Sequence, residues 1–267
     1  MRKEELLQSP ARLELENVTA SYDGRPALED MTFEIDHGEQ VAVVGPNGAG
    51  KSTLFKVLVG LLPVRTGNIR IHGLPLGHHQ DCVAYVPQRE EVDWKFPVTV
   101  EDVVMMGRYK RFGWLGQATQ ADHQVVKQCL QQMGIDSLAK RRIEELSGGQ
   151  QQRTFLARAL AQEPHILLMD EPFTGVDVTT QETTLILLER LREQQVTVLV
   201  STHDLSMANE RFKKVLLINH RLIAFGSPTE VLTPQNISAA FGQHVLYANG
   251  TAIIDECCPG DEERSRA

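Results

Sequence analysis

One unbroken run constrains this chain more than any other: Gly45-Pro46-Asn47-Gly48-Ala49-Gly50-Lys51-Ser52-Thr53. It matches the phosphate-loop pattern in full. The apolar run Val41-Ala42-Val43-Val44 precedes it, and a helix from about Lys51 to Leu62, stopped by Pro63, is predicted after it. A strand apolar on both faces belongs in the middle of a sheet covered on both sides. Glycines lack a Cβ, so backbone N–H groups can close around phosphate oxygens. The helix N-terminus adds partial positive charge. Lys51 is placed to meet the β- and γ-phosphates, the Ser52 hydroxyl to ligate Mg²⁺, and Thr53 to reach a phosphate. These residues call for a nucleoside triphosphate. Alone they do not choose among the GTPases, kinases and helicases that share the loop.

A second run, Ile166-Leu167-Leu168-Met169-Asp170-Glu171, ends an apolar strand in two acids. Such acids are costly unless paired or metal-bound. Neighbours on a strand face opposite ways, so the two serve different targets. Asp170 fits the carboxylate that holds Mg²⁺, directly or through water. Glu171 fits a general base that polarises the attacking water.

Around these runs the pattern is α/β. Leu13 to Tyr22, the turn Asp23-Gly24, and Phe33 and Ile35 suggest antiparallel strands at the start. From about Gln88 to Arg142 the signals turn helical, with stretches at Val100–Met106 and Ala121–Met133. Helices at about Gly149–Ala161 and Thr180–Glu193 alternate with strands at Ile166–Met169 and Val196–Ser201. A hairpin, Val215–Ile218 with Leu222–Phe225, and a last helical piece after Pro228 close the core. The expected fold is α/β: a P-loop NTPase core with an antiparallel β subdomain and an inserted helical subdomain at about 89–142. Residues 1–12 are expected to be an extension, 13–242 the domain, and 243–267 a tail.

Length and charge limit the roles. The 267 residues suit one large domain. A net charge of −8 argues against nucleic acid as a partner, though not against a local basic patch. No apolar run approaches the roughly 20 residues of a membrane span. Met1 to Pro10 lacks the apolar core of a secretory signal. A cytoplasmic protein is expected, with any membrane role supplied by a partner.

Leu146-Ser147-Gly148-Gly149-Gln150 reads as a helix N-terminus with Ser147 as cap, a second anion site in the same chain. This run is identical to the signature motif of ABC ATPases, and the chain resembles that family in motif order from about Leu13 to Gly242. The resemblance implies further roles. Tyr22 looks like the aromatic residue that stacks on adenine. Gln88 resembles the glutamine that touches Mg²⁺ and the attacking water and leads to the membrane subunit. Asp177, in Thr174-Gly175-Val176-Asp177, sits where the D-loop does, although the run departs from the commoner Ser-Ala-Leu-Asp. His203 resembles the switch histidine that contacts the γ-phosphate. ATP and Mg²⁺ are the implied ligands. One P-loop and one signature per chain imply a head-to-tail homodimer, with Ser147, Gly148, Gly149 and Gln150 of one copy meeting the γ-phosphate held by the other.

The segment after Gln88, with Trp94, Phe96, Met105-Met106-Gly107-Arg108-Tyr109 and Gly113-Trp114-Leu115, is similar to the manganese/zinc/iron branch of bacterial metal-uptake ATPases. This implies an integral membrane permease as partner, an extracytoplasmic metal-binding protein beyond it, and a place on the inner face of the cell membrane. The other readings are a siderophore, haem or export system, or a non-transport ABC protein. His72, His78 and His79 are expected in a solvated loop, because no third ligand follows at fixed spacing. Cys257-Cys258 is expected in a frayed tail.

Overall fold

The computed structural model describes residues 13–77, 82–88, 92–112, 116–242, 245–248 and 251–254. Its centre is a six-stranded sheet of order β10-β9-β3-β8-β7-β6. The strands are β3 (Gln40–Val44), β6 (Val83–Val86), β7 (Ile166–Met169), β8 (Thr197–Thr202), β9 (Lys214–Asn219) and β10 (Arg221–Gly226). Only β10, at one edge, runs antiparallel to its neighbour.

Alternation along these strands divides the core in two. Ala42, Val44, Leu167, Met169, Val198, Val200, Val215 and Leu217 face one side. Val41, Val43, Ile166, Leu168, Leu199, Leu216 and Ile218 face the other. Each such Val, Leu, Ile or Met side chain, fully buried, contributes about 1.5–3 kcal/mol.

The second side is covered by helix α1 (Lys51–Leu58) and by an antiparallel sheet of order β2-β1-β4-β5. Its strands are β1 (Leu13–Tyr22), β2 (Arg25–Ile35), β4 (Thr66–Ile71) and β5 (Leu74–Pro75). Asp23 and Gly24, at φ 47° and 81°, make the tight turn expected between β1 and β2. Helix α1 stops a turn earlier than Pro63 suggests. Gly60 takes φ 76°, and the amides of Leu61 and Leu62 fold back to Lys56 O at 2.8 and 3.2 Å. A left-handed glycine ends the helix before the proline can.

His72 is not solvated, contrary to the expectation. It occupies the β4–β5 turn and is only 5% exposed. His78 and His79 lie outside the described residues.

The first side is covered by the helical insertion and the helix that follows. The insertion holds α2 (Val100–Met106), α3 (Tyr109–Phe112) and α4 (Gln120–Gln132), then 3₁₀ turns at Asp136–Leu138 and Ile143–Glu145. Thr99 with Asp102, and Thr119 with Asp122, form capping boxes that start α2 and α4. Val98–Val100 meets Arg141–Ile143 through Val100 N to Arg141 O, 2.9 Å, and Ile143 N to Val98 O, 3.1 Å, so the two ends of the insertion are stapled together.

Helix α5 (Gly148–Ala161) is its seat. Arg108, 3% exposed, ties the pieces: it donates to Asp122 Oδ1 at 3.0 Å, Ala161 O at 2.8 Å and Glu163 Oε2 at 3.0 Å. A Cβ on Gly107 would stand 2.3 Å from Arg158 O, so α2 needs glycine there to lie against α5.

The chain continues with α6 (Val178–Glu193), α7 (Leu205–Arg211), α8 (Pro228–Val231) and α9 (Pro234–Phe241). Beyond Gly242, β11 (Val245–Ala248) pairs antiparallel with β12 (Thr251–Ile254). Cys257 and Cys258 lie outside the described residues. No described helix is long and apolar enough to cross a membrane.

Candidate nucleotide-binding site

The loop between β3 and α1 is shaped by what presses on it. A Cβ on Gly45 would lie 2.2 Å from Ile218 O, so only glycine lets the loop leave β3 past β9. Gly50, at φ 96°, precedes α1 and lies close to Ala27 O. Ala49 O accepts the His220 amide at 2.9 Å, bracing the loop on the β9–β10 turn. Lys51 is 6% exposed, and its Nζ donates to Gly45 O at 2.8 Å and Pro46 O at 3.1 Å. Burial pushes its pKa below the usual lysine value, against the opposing pull of Glu171 and then Asp170. A partly desolvated ammonium of this kind gains from any anion brought beside it.

At the end of β7 the two acids separate as the strand geometry requires. Asp170 is 2% exposed; its Oδ1 accepts the Ser201 hydroxyl at 2.5 Å and its Oδ2 accepts the Tyr85 hydroxyl at 3.3 Å. Glu171 takes φ 47°, an uncommon conformation for a residue with a side chain, and its amide donates to Ser201 Oγ at 2.8 Å. Its Oε1 lies 3.8 Å from Lys51 Nζ. Its Oε2 accepts the Thr174 hydroxyl at 3.0 Å and meets His203 Nδ1 at 3.2 Å.

These groups line one cleft of about 620 Å³: Asn47 to Thr53, Gln88, Glu171, Thr174 and His203. That volume suits a small-molecule ligand. It lies at the C-terminal ends of β3, β7 and β8, where open α/β sheets hold ligands. Gly45 and Pro46 contribute the carbonyls that hold Lys51. Asp170 lines a tight crevice beside the cleft, shared with Gln88 and Glu171.

The remaining expected residues stand apart from this cleft. Tyr22, 44% exposed, ends β1 and is not among the lining residues. Ser147 caps α5, donating its amide to Gln150 Oε1 at 3.0 Å and accepting Gln150 N at 3.4 Å. Gly148 opens the helix. A Cβ on Gly149 would sit 2.3 Å from both Asp177 Oδ2 and Thr180 Oγ1. Asp177 caps α6 by accepting Thr180 N at 2.8 Å, and this amide is the first cause of its lowered pKa. The Ser147–Gln150 run and Asp177 therefore form a second, joined surface, exposed at Ser147 and Asp177.

Sequence reasoning missed Ser201, Thr174 and Tyr85 as supports of the acids. Ser201 had a readable signal: a hydroxyl ending the apolar run Val198-Leu199-Val200, as the acids end β7. Thr174 and Tyr85 had none.

The ABC transporter family model matches residues 28–174. The chain is 45% identical over 243 residues to the manganese transport system ATP-binding protein MntB of Bacillus subtilis (strain 168), covering 91% of this chain and 97% of that one. It is 42% identical over 233 residues to the zinc transport system ATP-binding protein TroB of Treponema pallidum (strain Nichols), covering 87% and 88%. Among solved structures, the inward-facing conformation of a metal-chelate type ABC transporter superposes with a TM-score of 0.76 at 29% identity, covering 91% of this chain and 95% of that one. A phosphate loop, a paired-acid strand end and a histidine converging on one cleft, in a chain so related, place it in the ABC transporter family as an ATP-binding subunit.

Proposed function

We propose that this chain hydrolyses ATP to drive import of a divalent transition metal, manganese ahead of zinc and iron, through a separate membrane permease. The supporting observation is the meeting of Lys51, Gln88, Glu171 and His203 in one cleft, in a chain 45% identical to a manganese transport ATP-binding protein. The ATPase domain is taken as residues 13–242, with the helical subdomain at about 89–142.

The donor set beside the cleft suits Mg²⁺, which takes oxygen ligands. The Ser52 hydroxyl, the Gln88 amide oxygen and the buried Asp170 carboxylate would hold it. Bound there, the ion would neutralise charge on the β- and γ-phosphates. The P-loop amides and Lys51 grip the phosphates. Lys51 must first leave the Gly45 and Pro46 carbonyls. Glu171 orients and polarises the attacking water, and His203 contacts the γ-phosphate. Catalysis is positioning and charge stabilisation.

The exposed Ser147 face, lying outside the cleft, supports a second copy as its user. In a head-to-tail dimer each Ser147–Gln150 run covers the partner's γ-phosphate, with Asp177 beside it and Tyr22 stacking on adenine. Hydrolysis then removes the shared ligand and the dimer opens. Trp94, after Gln88, packs edge-on against Phe155 of α5 with ring centroids 5.0 Å apart. This contact joins the Gln88 segment to the signature helix. Phe96 and Tyr109, both exposed, offer apolar surface nearby for a permease on the inner face of the membrane. An extracytoplasmic binding protein would deliver the metal to that permease.

The test is transport by the chain reconstituted with its permease in vesicles. ATP-dependent accumulation of manganese, zinc or iron is expected, and its loss in Glu171→Gln. Hydrolysis without accumulation of any of the three would reject the metal assignment.

A further inference from the structure

We propose that His72, Cys82 and His165 form a zinc-class metal site, distinct from the nucleotide cleft and independent of the transported cargo. The ligand atoms of the three all lie within 4.8 Å of one another. His72 Nε2 and His165 Nδ1 are 3.0 Å apart, with the rings near perpendicular at 83°. Two nitrogens bound to one tetrahedral zinc at about 2.0–2.1 Å would stand about 3.3 Å apart. The pair is thus within a few tenths of an ångström of a ligand edge, with a thiol closing the third corner.

The three sit on firm backbone. Cys82 and His165 immediately precede the parallel strands β6 and β7, and His165 N donates to Cys82 O at 2.8 Å. His165 O accepts Thr197 N, at the start of β8, at 2.9 Å. His72 comes from the other sheet, in the β4–β5 turn, at φ 54°. His72 and Cys82 are buried and His165 is partly so. An ion here would join the antiparallel sheet to the central sheet.

The donors decide the class. Two imidazoles and a thiolate suit zinc and poorly suit manganese or magnesium, which favour oxygen. Position separates this site from Mg²⁺ chemistry. His165 precedes β7 and Asp170 follows it, about 17 Å away along the strand. Binding would shift the proton between the two rings to the outer nitrogen of its own ring and release the Cys82 thiol proton, so affinity should rise with pH.

The experiment uses the full chain carrying Cys257→Ser and Cys258→Ser, with zinc(II) or cobalt(II) and no nucleotide. About one zinc per chain retained through gel filtration is expected. Cobalt should give tetrahedral visible bands and a thiolate charge-transfer band. Cys82→Ser should remove the charge-transfer band. His72→Asn, which keeps a residue tolerant of the left-handed turn, should lower zinc affinity by about 100-fold. Zinc should raise the Tm of the parent and of neither variant, and both variants should still hydrolyse ATP. No retained zinc, or zinc retained equally by parent and both variants, would overturn the site and leave the 3.0 Å contact as a hydrogen bond between rings.

Discussion

Lys51 Nζ stands 3.8 Å from Glu171 Oε1, so the cation of the phosphate loop and the proposed base face each other in the cleft. In the proposed mechanism this pairing gives way to phosphate on Lys51 and water on Glu171.

Lys51→Ala should therefore weaken ATP binding itself. Hydrogen bonds to charged groups are worth about 1.5–3 kcal/mol, which gives a loss of about 10- to 150-fold in affinity. Titration with a fluorescent ATP analogue measures it, and unchanged affinity would remove Lys51 from the phosphates.

Glu171→Gln keeps the shape of the side chain and removes its basicity. Turnover should fall by at least about 100-fold, while an ATP-bound dimer accumulates on gel filtration. Normal turnover in this variant would end the assignment of Glu171 as base.

Ser201 holds both acids, donating to Asp170 Oδ1 and accepting the Glu171 amide. Ser201→Ala leaves two buried polar groups without that partner, at a cost of about 1–3 kcal/mol in stability. With Asp170 less fixed, the Mg²⁺ concentration for half-maximal hydrolysis should rise. A stable variant with an unchanged Mg²⁺ curve would assign Ser201 no part in holding Asp170.

Asp122 makes a prediction about acid. The Thr119 hydroxyl, then the Thr119 backbone, lower its pKa from 3.8 to about 2, with Arg108 adding to the effect. A depressed carboxylate stabilises the fold above its unfolded pKa and loses that contribution as pH falls through the folded one. Asp122→Asn should lower the Tm by several degrees at neutral pH. The gap from wild type should hold down to about pH 4 and narrow toward about pH 2. A gap independent of pH would mean that the carboxylate charge is not what binds α4 to Arg108.

Much of this was readable because it is local. The phosphate loop, the acids ending β7 and the capping residues of α5 are contiguous, and the central strands are apolar on both faces. Strand β4 reads Thr-Gly-Asn-Ile-Arg-Ile, with only Ile69 and Ile71 buried, and gives too short an alternation to stand out. The bracing of Asp170 by Ser201 joins residues 31 apart in sequence, and His72 meets His165 across 93. Such contacts exist only once the sheets assemble, so spacing within one run cannot display them.

If two copies build each hydrolytic site, as proposed, mixing two kinds of inactive chain should restore activity. Lys51→Ala spoils the P-loop half and Ser147→Arg the signature half; each alone should be inactive. Mixed, a head-to-tail dimer holds one site with both defects and one with neither, so ATP hydrolysis should return. A mixture as inactive as its components would contradict a site shared between chains.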